Sequence, residues 1–191
     1  MSHLEMRYNE PLPHRPYLLP EGYRLVTVET DADKLGWIEA CAEGLSTGAW
    51  TVKDFEKNML EPEGLAKDQI FLVKDAAGRV VATATAWLKP GNRGYLHMVA
   101  ALPEARGLGL GGLLTQHVLD FFLARGVDYI TLDTDDFRLP AIKTYLRLGF
   151  IPVLSEYGAE QLWRDIFVKT GLRTPVFEVQ QIGRASCRER V

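Results

Sequence analysis

The chain has 191 residues, 47% hydrophobic and 25% charged, with 22 Lys+Arg against 25 Asp+Glu, a formal net charge of −3, and two cysteines. That length suits one domain able to bury a core without disulfide staples, and two cysteines build no disulfide framework. The acidic balance argues against a nucleic-acid binder, the polar start is no signal peptide, and no apolar run reaches the roughly 18–20 residues that span a bilayer. A reduced, cytoplasmic compartment is the default expectation.

Residues 1–20 carry Pro11, Pro13, Pro16 and Pro20 and read as an irregular N-terminal arm; residues 21–181 read as a single domain. Tyr23–Val28 alternates as a first strand. Asp31 caps a helix running to about Ala42, with Leu35, Ile38 and Ala42 on its apolar face and Gly44 and Gly48 breaking it. Thr51, with Asp54 three residues on, opens a second helix whose apolar face is Val52, Phe55 and Met59. From Gln69 the period changes. Strands at Gln69–Lys74, Val80–Trp87 and Gly94–Ala101 alternate with turns at Asp75–Arg79 and Lys89–Asn92, an antiparallel meander. A Gly-rich segment then leads into an amphipathic helix stopped by Gly126. A strand at Tyr129–Asp133, a helix at Leu139–Leu148, a strand at Phe150–Val153 and a helical stretch marked by Leu162, Ile166 and Phe167 complete the order. The late β-α-β-α-β run implies parallel pairing beside the meander, hence a mixed sheet in an α+β fold.

The last ten residues, 182–191, have no apolar periodicity and resemble the in-frame translation of a sequencing adapter. Setting aside their three arginines and one glutamate leaves 19 of the 22 basic and 24 of the 25 acidic residues, a net charge of −5, with Cys41 as the remaining cysteine.

The chemistry centres on Arg106-Gly107-Leu108-Gly109-Leu110-Gly111-Gly112. Glycines let successive backbone N–H groups face one point, and the helix that follows offers N–H groups without intrahelical partners, a seat for phosphate. Gly107-x-Gly109-x-x-Gly112, with Asp133 ending the next strand, also matches a dinucleotide fingerprint. However, Leu102–Arg106 separate the glycines from their strand, and too few βαβ units follow for a doubly wound domain.

Residues 94–153 instead resemble the acetyl-CoA-binding core of the GNAT superfamily of N-acetyltransferases. A strand, the exit Ala101-Leu102-Pro103 and the run Arg106–Gly111 fit the family's (Q/R)-x-x-G-x-(G/A) motif at a helix start. Arg138-Leu139-Pro140-Ala141 through Tyr145 to Gly149-Phe150 fits its N-x-P-A-x-x-x-Y-x-x-x-G-F signature, with Arg138 in place of the asparagine. The resemblance implies an α/β/α sandwich around a mixed, mostly antiparallel sheet of about 6–7 strands, with one splayed pair and helices on both faces.

It also implies acetyl-CoA as co-substrate and no metal. N–H groups from Arg106, Gly107, Leu108, Gly109, Leu110, Gly111 and Gly112 would hold the pyrophosphate. The backbone of Val99, Ala100 and Ala101 would pair with the pantetheine arm, and Arg138 would reach a phosphate or lose the family's amide contact. Tyr145 stands where the family places a general acid for the departing thiolate, and its ordinary pKa of ~10 suits that role; its helix face also fits a core residue. His97 is the candidate base. Strand period sets it with Val99 and Ala101, and an unperturbed imidazole titrates near ~6.5. Asp133, Asp135 and Asp136 read as strand-end carboxylates and Cys41 as a core residue. Trp50 offers an acceptor wall, with ordinary packing the favoured reading.

The function expected is acetyl transfer to a primary amine, on a small molecule or a peptide, by direct attack in a ternary complex. A non-catalytic acyl-CoA sensor of the same fold is the alternative. No nucleic acid, no membrane and a monomer or homodimer complete the expectation.

Overall fold

A computed structural model describes residues 3–10, 16–42, 45, 48–154, 159–172 and 178–179. The strands are β1 (His3–Tyr8), β2 (Arg24–Thr27), β3 (Ile70–Lys74), β4 (Val80–Lys89), β5 (Arg93–Ala101), β6 (Tyr129–Asp135), β7 (Phe150–Leu154) and the two-residue β8 (Glu178–Val179). The helices are α1 (Asp31–Ala42), α2 (Val52–Met59), α3 (Leu110–Ala124), α4 (Leu139–Arg147) and α5 (Ala159–Thr170). Among the described residues no helix is long and apolar enough to cross a membrane. The break at Gly44, Pro11, Pro13 and residues 182–191 lie outside the described residues.

Local chemistry sets the helix starts. Thr51 and Asp54 exchange side-chain and backbone hydrogen bonds in a capping box. Thr30 and Asp33 do the same for α1: the Asp33 N–H donates to Thr30 Oγ1 at 3.2 Å and the Thr30 N–H to Asp33 Oδ2 at 3.0 Å. Thr30, not Asp31, is therefore the cap. The apolar face of α1 is also rotated from the expected one. Leu35 is 55% exposed, whereas Trp37, Ala40 and Cys41 are buried.

The sheet runs β2-β3-β4-β5-β6-β1-β7, with β8 parallel to β7 at its edge. Only β5–β6 among the main pairs is parallel. Alternation along β3 and β4 divides the core. Phe71, Val73, Ala82, Ala84 and Ala86 face α3 with Leu114, Val118 and Phe122. Ile70 and Leu72 join Trp37, Cys41, Phe55 and Met59 under α1 and α2. The small residues let α3 lie close: a Cβ on Gly94 would sit 2.8 Å from the Phe122 ring.

Residues 3–8 are not an irregular arm. They form β1, antiparallel to both β6 and β7, with Leu4 and Met6 pointing into the core. The prolines lie beyond the strand and do not interrupt its ladder. Residues 16–22 do run without regular structure towards β2. Met6 is 0% exposed, so Met6→Ala should cost about 2–5 kcal/mol in denaturant unfolding. A change within about 0.5 kcal/mol, normal for a surface site, would contradict the internal position of β1.

Candidate active site

The cleft begins where β5 leaves its neighbour. β5 and β6 pair from Arg93–Tyr129 to Leu96–Leu132, and described pairing between them stops there. On its other side β5 stays paired with β4, but Thr85 faces His97 while Thr83 faces Ala100. One residue of β4 thus spans two of β5, a β-bulge, and Met98 within it has φ +51°. Bulges bend a strand and raise its twist, which carries Val99–Ala101 away from β6. The edge of β5 facing β6 is left for another partner.

Beyond Ala101, a turn at Pro103–Ala105 returns the chain to the glycine loop, and Arg106 Nε donates to Ala101 O at 3.3 Å. Gly107 (φ +84°) and Gly109 (φ +78°) adopt left-handed backbone that favours glycine. Gly109 caps α3 with no side-chain hydrogen bond, and the first bond inside the helix runs from Leu113 N–H to Gly109 O. The N–H groups of Leu110, Gly111 and Gly112 therefore have no partner four residues back, and the helix dipole adds positive charge there. A Cβ on Gly107 or Gly111 would meet nothing within 4 Å. This open, N–H-lined cradle fits a pyrophosphate.

A cleft of about 780 Å³ joins these parts. Val99, Ala100, Ala101, Arg106, Gly107, Gly109, Leu110, Gly111, Gly112, Arg138 and Tyr145 line it, whereas Leu108 and His97 are not among its lining residues. Arg138 precedes α4, and its Nε donates to Asp135 Oδ2 at 2.9 Å. Tyr145 is 6% exposed on α4. Burial pushes its phenol up to about 12, against a smaller downward pull from Arg138. It stays protonated throughout the physiological range.

His97 sits elsewhere, and strand period misplaces it. The extra residue at Met98 breaks alternation, so His97 shares a face with Thr85 and Ala100, opposite Ala101 and Ala82. There it clusters with Trp87 and Tyr95, ring centroids 5.4 Å from each. The Tyr95 hydroxyl donates to Asp133 Oδ2 at 2.8 Å, and Lys89 Nζ lies 2.8 Å from the Trp87 ring centre. Burial, then the Lys89 charge, lower the imidazole to about 4, with Asp133 opposing them. His97 is thus neutral and weakly basic at neutral pH, not poised near 6.5.

Sequence reasoning missed Tyr17, Ala40, Leu45, Phe137, Thr144 and Arg147, which also line the cleft. Thr144 and Arg147 share α4 with Tyr145, so helical spacing could have found them; Tyr17 had no local signal. The Trp50 ring lies tilted at 38° to that of Trp37, centroids 5.7 Å apart, in keeping with ordinary packing. Cys41 is buried, and burial pushes its thiol up.

Residues 32–150 match the acetyltransferase (GNAT) family. The chain belongs to that family. Mycothiol acetyltransferase of Thermobispora bispora is 33% identical over 144 residues, covering 69% of this chain and 48% of that protein. Its namesake in Thermomonospora curvata is 31% identical over 154 residues, covering 77% and 50%. The chain thus spans about half the length of these relatives. Among solved structures, a GCN5-related N-acetyltransferase from Sphaerobacter thermophilus superposes with a TM-score of 0.64 at 21% identity, over 78% of this chain and 48% of that one. The NatC complex bound to Gag peptide and CoA gives 0.59 at 16% identity, over 68% and 84%. These likenesses establish the GNAT fold, and acetyl-CoA is the family's co-substrate.

The His97 shift has a thermodynamic consequence. Its folded-state pKa lies below the ordinary 6.5, so the unfolded chain takes up the proton first as pH falls. Stability present above pH 6.5 is lost as pH drops through about 4. The full effect is roughly 3 kcal/mol. His97→Gln should therefore show a shallower fall in melting temperature than the wild type between about pH 6.5 and 4.5. Parallel profiles would contradict a half-buried, neutral imidazole.

Proposed function

We propose that this domain transfers the acetyl group of acetyl-CoA to a primary amine by direct attack, with both substrates bound together. The observation that carries the reading is one cleft joining an open helix N-terminus, a strand edge released from its neighbour, and a buried phenol. Acetyl-CoA supplies an acetyl group activated as a thioester. The N–H groups of the Arg106–Gly112 loop hold its pyrophosphate, and the edge of Val99–Ala101 pairs with the pantetheine arm as an added strand. A backbone N–H from the same edge, aimed at the thioester oxygen, is worth ~2.7–4 kcal/mol as charge develops there.

Tyr145 keeps its proton and donates a hydrogen bond to the departing sulfur. With its pKa near 12, complete transfer to a thiolate of ordinary basicity runs uphill, so the hydrogen bond carries the stabilisation first. Arg138, whose charge pulls the phenol's pKa down, makes the donation easier. Cys41 is buried with a raised pKa, which suits a thiol with no nucleophilic part in the transfer.

The acceptor approaches from the face of Trp87, Tyr95, His97 and Asp133. His97, too weak a base to strip an ammonium ion, positions the free amine by accepting a hydrogen bond. As the C–N bond forms and the C–S bond breaks, the surplus nitrogen proton leaves to water. The departing thiolate, held by the Tyr145 hydroxyl, takes a proton from water on release. The relatives' name, mycothiol acetyltransferase, favours a small-molecule amine. A reducing, cytoplasmic setting belongs to the same reading.

Release of free thiol from acetyl-CoA across a panel of amines tests the activity. Amine-dependent release is expected; tight coenzyme A binding with no release on any acceptor would favour the sensor instead. Tyr145→Phe should lower kcat at least about tenfold while leaving the KM for acetyl-CoA nearly unchanged. An unchanged kcat would remove Tyr145 from the mechanism.

A further inference from the structure

Gly112 is a glycine for a reason its backbone does not supply. Unlike Gly107 and Gly109, it is not among the left-handed glycines, and it lies within the first turn of α3. A Cβ there would stand 2.3 Å from both Cε1 and Cζ of Tyr17 and 2.8 Å from its Cδ1. The Tyr17 ring thus lies flush on the backbone of the turn that forms the phosphate cradle, and a Cβ on Gly109 would also come within 3.6 Å of it. Tyr17 lines the cleft, packs against the main core and precedes the 32–150 segment that matches the family. Leu19 packs against the same core, and Tyr23 N–H donates to Pro20 O at 3.1 Å, anchoring this stretch before β2.

We infer that Tyr17 forms the nucleotide-side wall of the coenzyme A cleft, its ring contacting the adenosine-diphosphate half of the molecule. The inference rests on the acetyl-CoA reading above. In that reading β5 and Tyr145 take the pantetheine and thiol end, while α3 takes the pyrophosphate. Tyr17 touches the first turn of α3 at Gly109 and Gly112, so it borders the phosphates and what lies beyond them. A flat aromatic face there suits the adenine base, which offers an uncharged π-surface. The ring is what is required; the hydroxyl is secondary.

The test is calorimetric titration of the full chain with coenzyme A and with 4′-phosphopantetheine, which lacks the adenosine half. Tyr17→Ala should weaken coenzyme A binding about tenfold and phosphopantetheine binding less than about twofold, while Tyr17→Phe stays within about twofold for both. Gly112→Ala, which keeps the arm residue but displaces its ring, should reproduce the Tyr17→Ala pattern. It provides the same comparison if Tyr17→Ala does not fold. Coenzyme A affinity unchanged in folded Tyr17→Ala or Gly112→Ala protein would overturn the inference alone, as would an equal loss for both ligands. Wild-type protein that binds neither ligand overturns the functional reading and the inference with it.

Discussion

A single extra residue in β5 governs the architecture of the site. Because Met98 has no counterpart in β4, the strand bends after His97 and its second half leaves β6. The left-handed backbone at Met98 costs on the order of 1–3 kcal/mol, sustained by ladder pairs on both sides, Thr85–His97 and Thr83–Ala100. Three consequences follow from that bend. The backbone edge of Val99–Ala101 is released from β6. A gap opens beside α4, where Tyr145 stands. The side chains before and after the bulge change faces, so His97 joins the aromatic group with Tyr95 and Trp87 rather than Val99 and Ala101.

The glycine loop completes the site by a division of labour among its glycines. Gly107 and Gly109 supply left-handed backbone, and Gly107 and Gly111 leave open space where a phosphate would approach. Gly112 instead admits the ring of Tyr17. The Gly107-x-Gly109-x-x-Gly112 spacing thus matches a dinucleotide fingerprint for reasons unrelated to one. Here the third glycine accommodates a side chain from a distant part of the chain.

What the sequence disclosed follows the range of the forces involved. The capping box of α2, the meander and the glycine loop are set by residues a few positions apart, and they lie where local chemistry puts them. The family's two motifs contain most of the residues that line the cleft. The misplaced features depend on partners far along the chain. β1 presents Leu4 and Met6 as its buried apolar residues beside a proline-rich stretch, too short a pattern to signal an internal strand without β6 and β7. Helical spacing points the apolar face of α1 through Leu35, whereas Trp37 decides the orientation by filling the space against Phe55, ring centres 5.0 Å apart. For His97 the sequence offers a period of two that a bulge interrupts and an ordinary imidazole that burial, then the Lys89 charge, make less basic. Tyr17 carries no motif; its position is visible only in the space above Gly112.

In the proposed function the released edge of β5 and the N-terminus of α3 receive coenzyme A together. Amide hydrogen exchange with and without coenzyme A addresses it residue by residue. The N–H groups of Val99 and Ala101 and of Gly107–Gly112 should slow on binding, while that of Ala100, turned towards β4, and those of Arg93–Leu96, already flanked by β4 and β6, should change little. Protection confined to the glycine loop, with the Val99 and Ala101 amides unaltered, would contradict the pairing of β5 with the ligand and the role given to its bend.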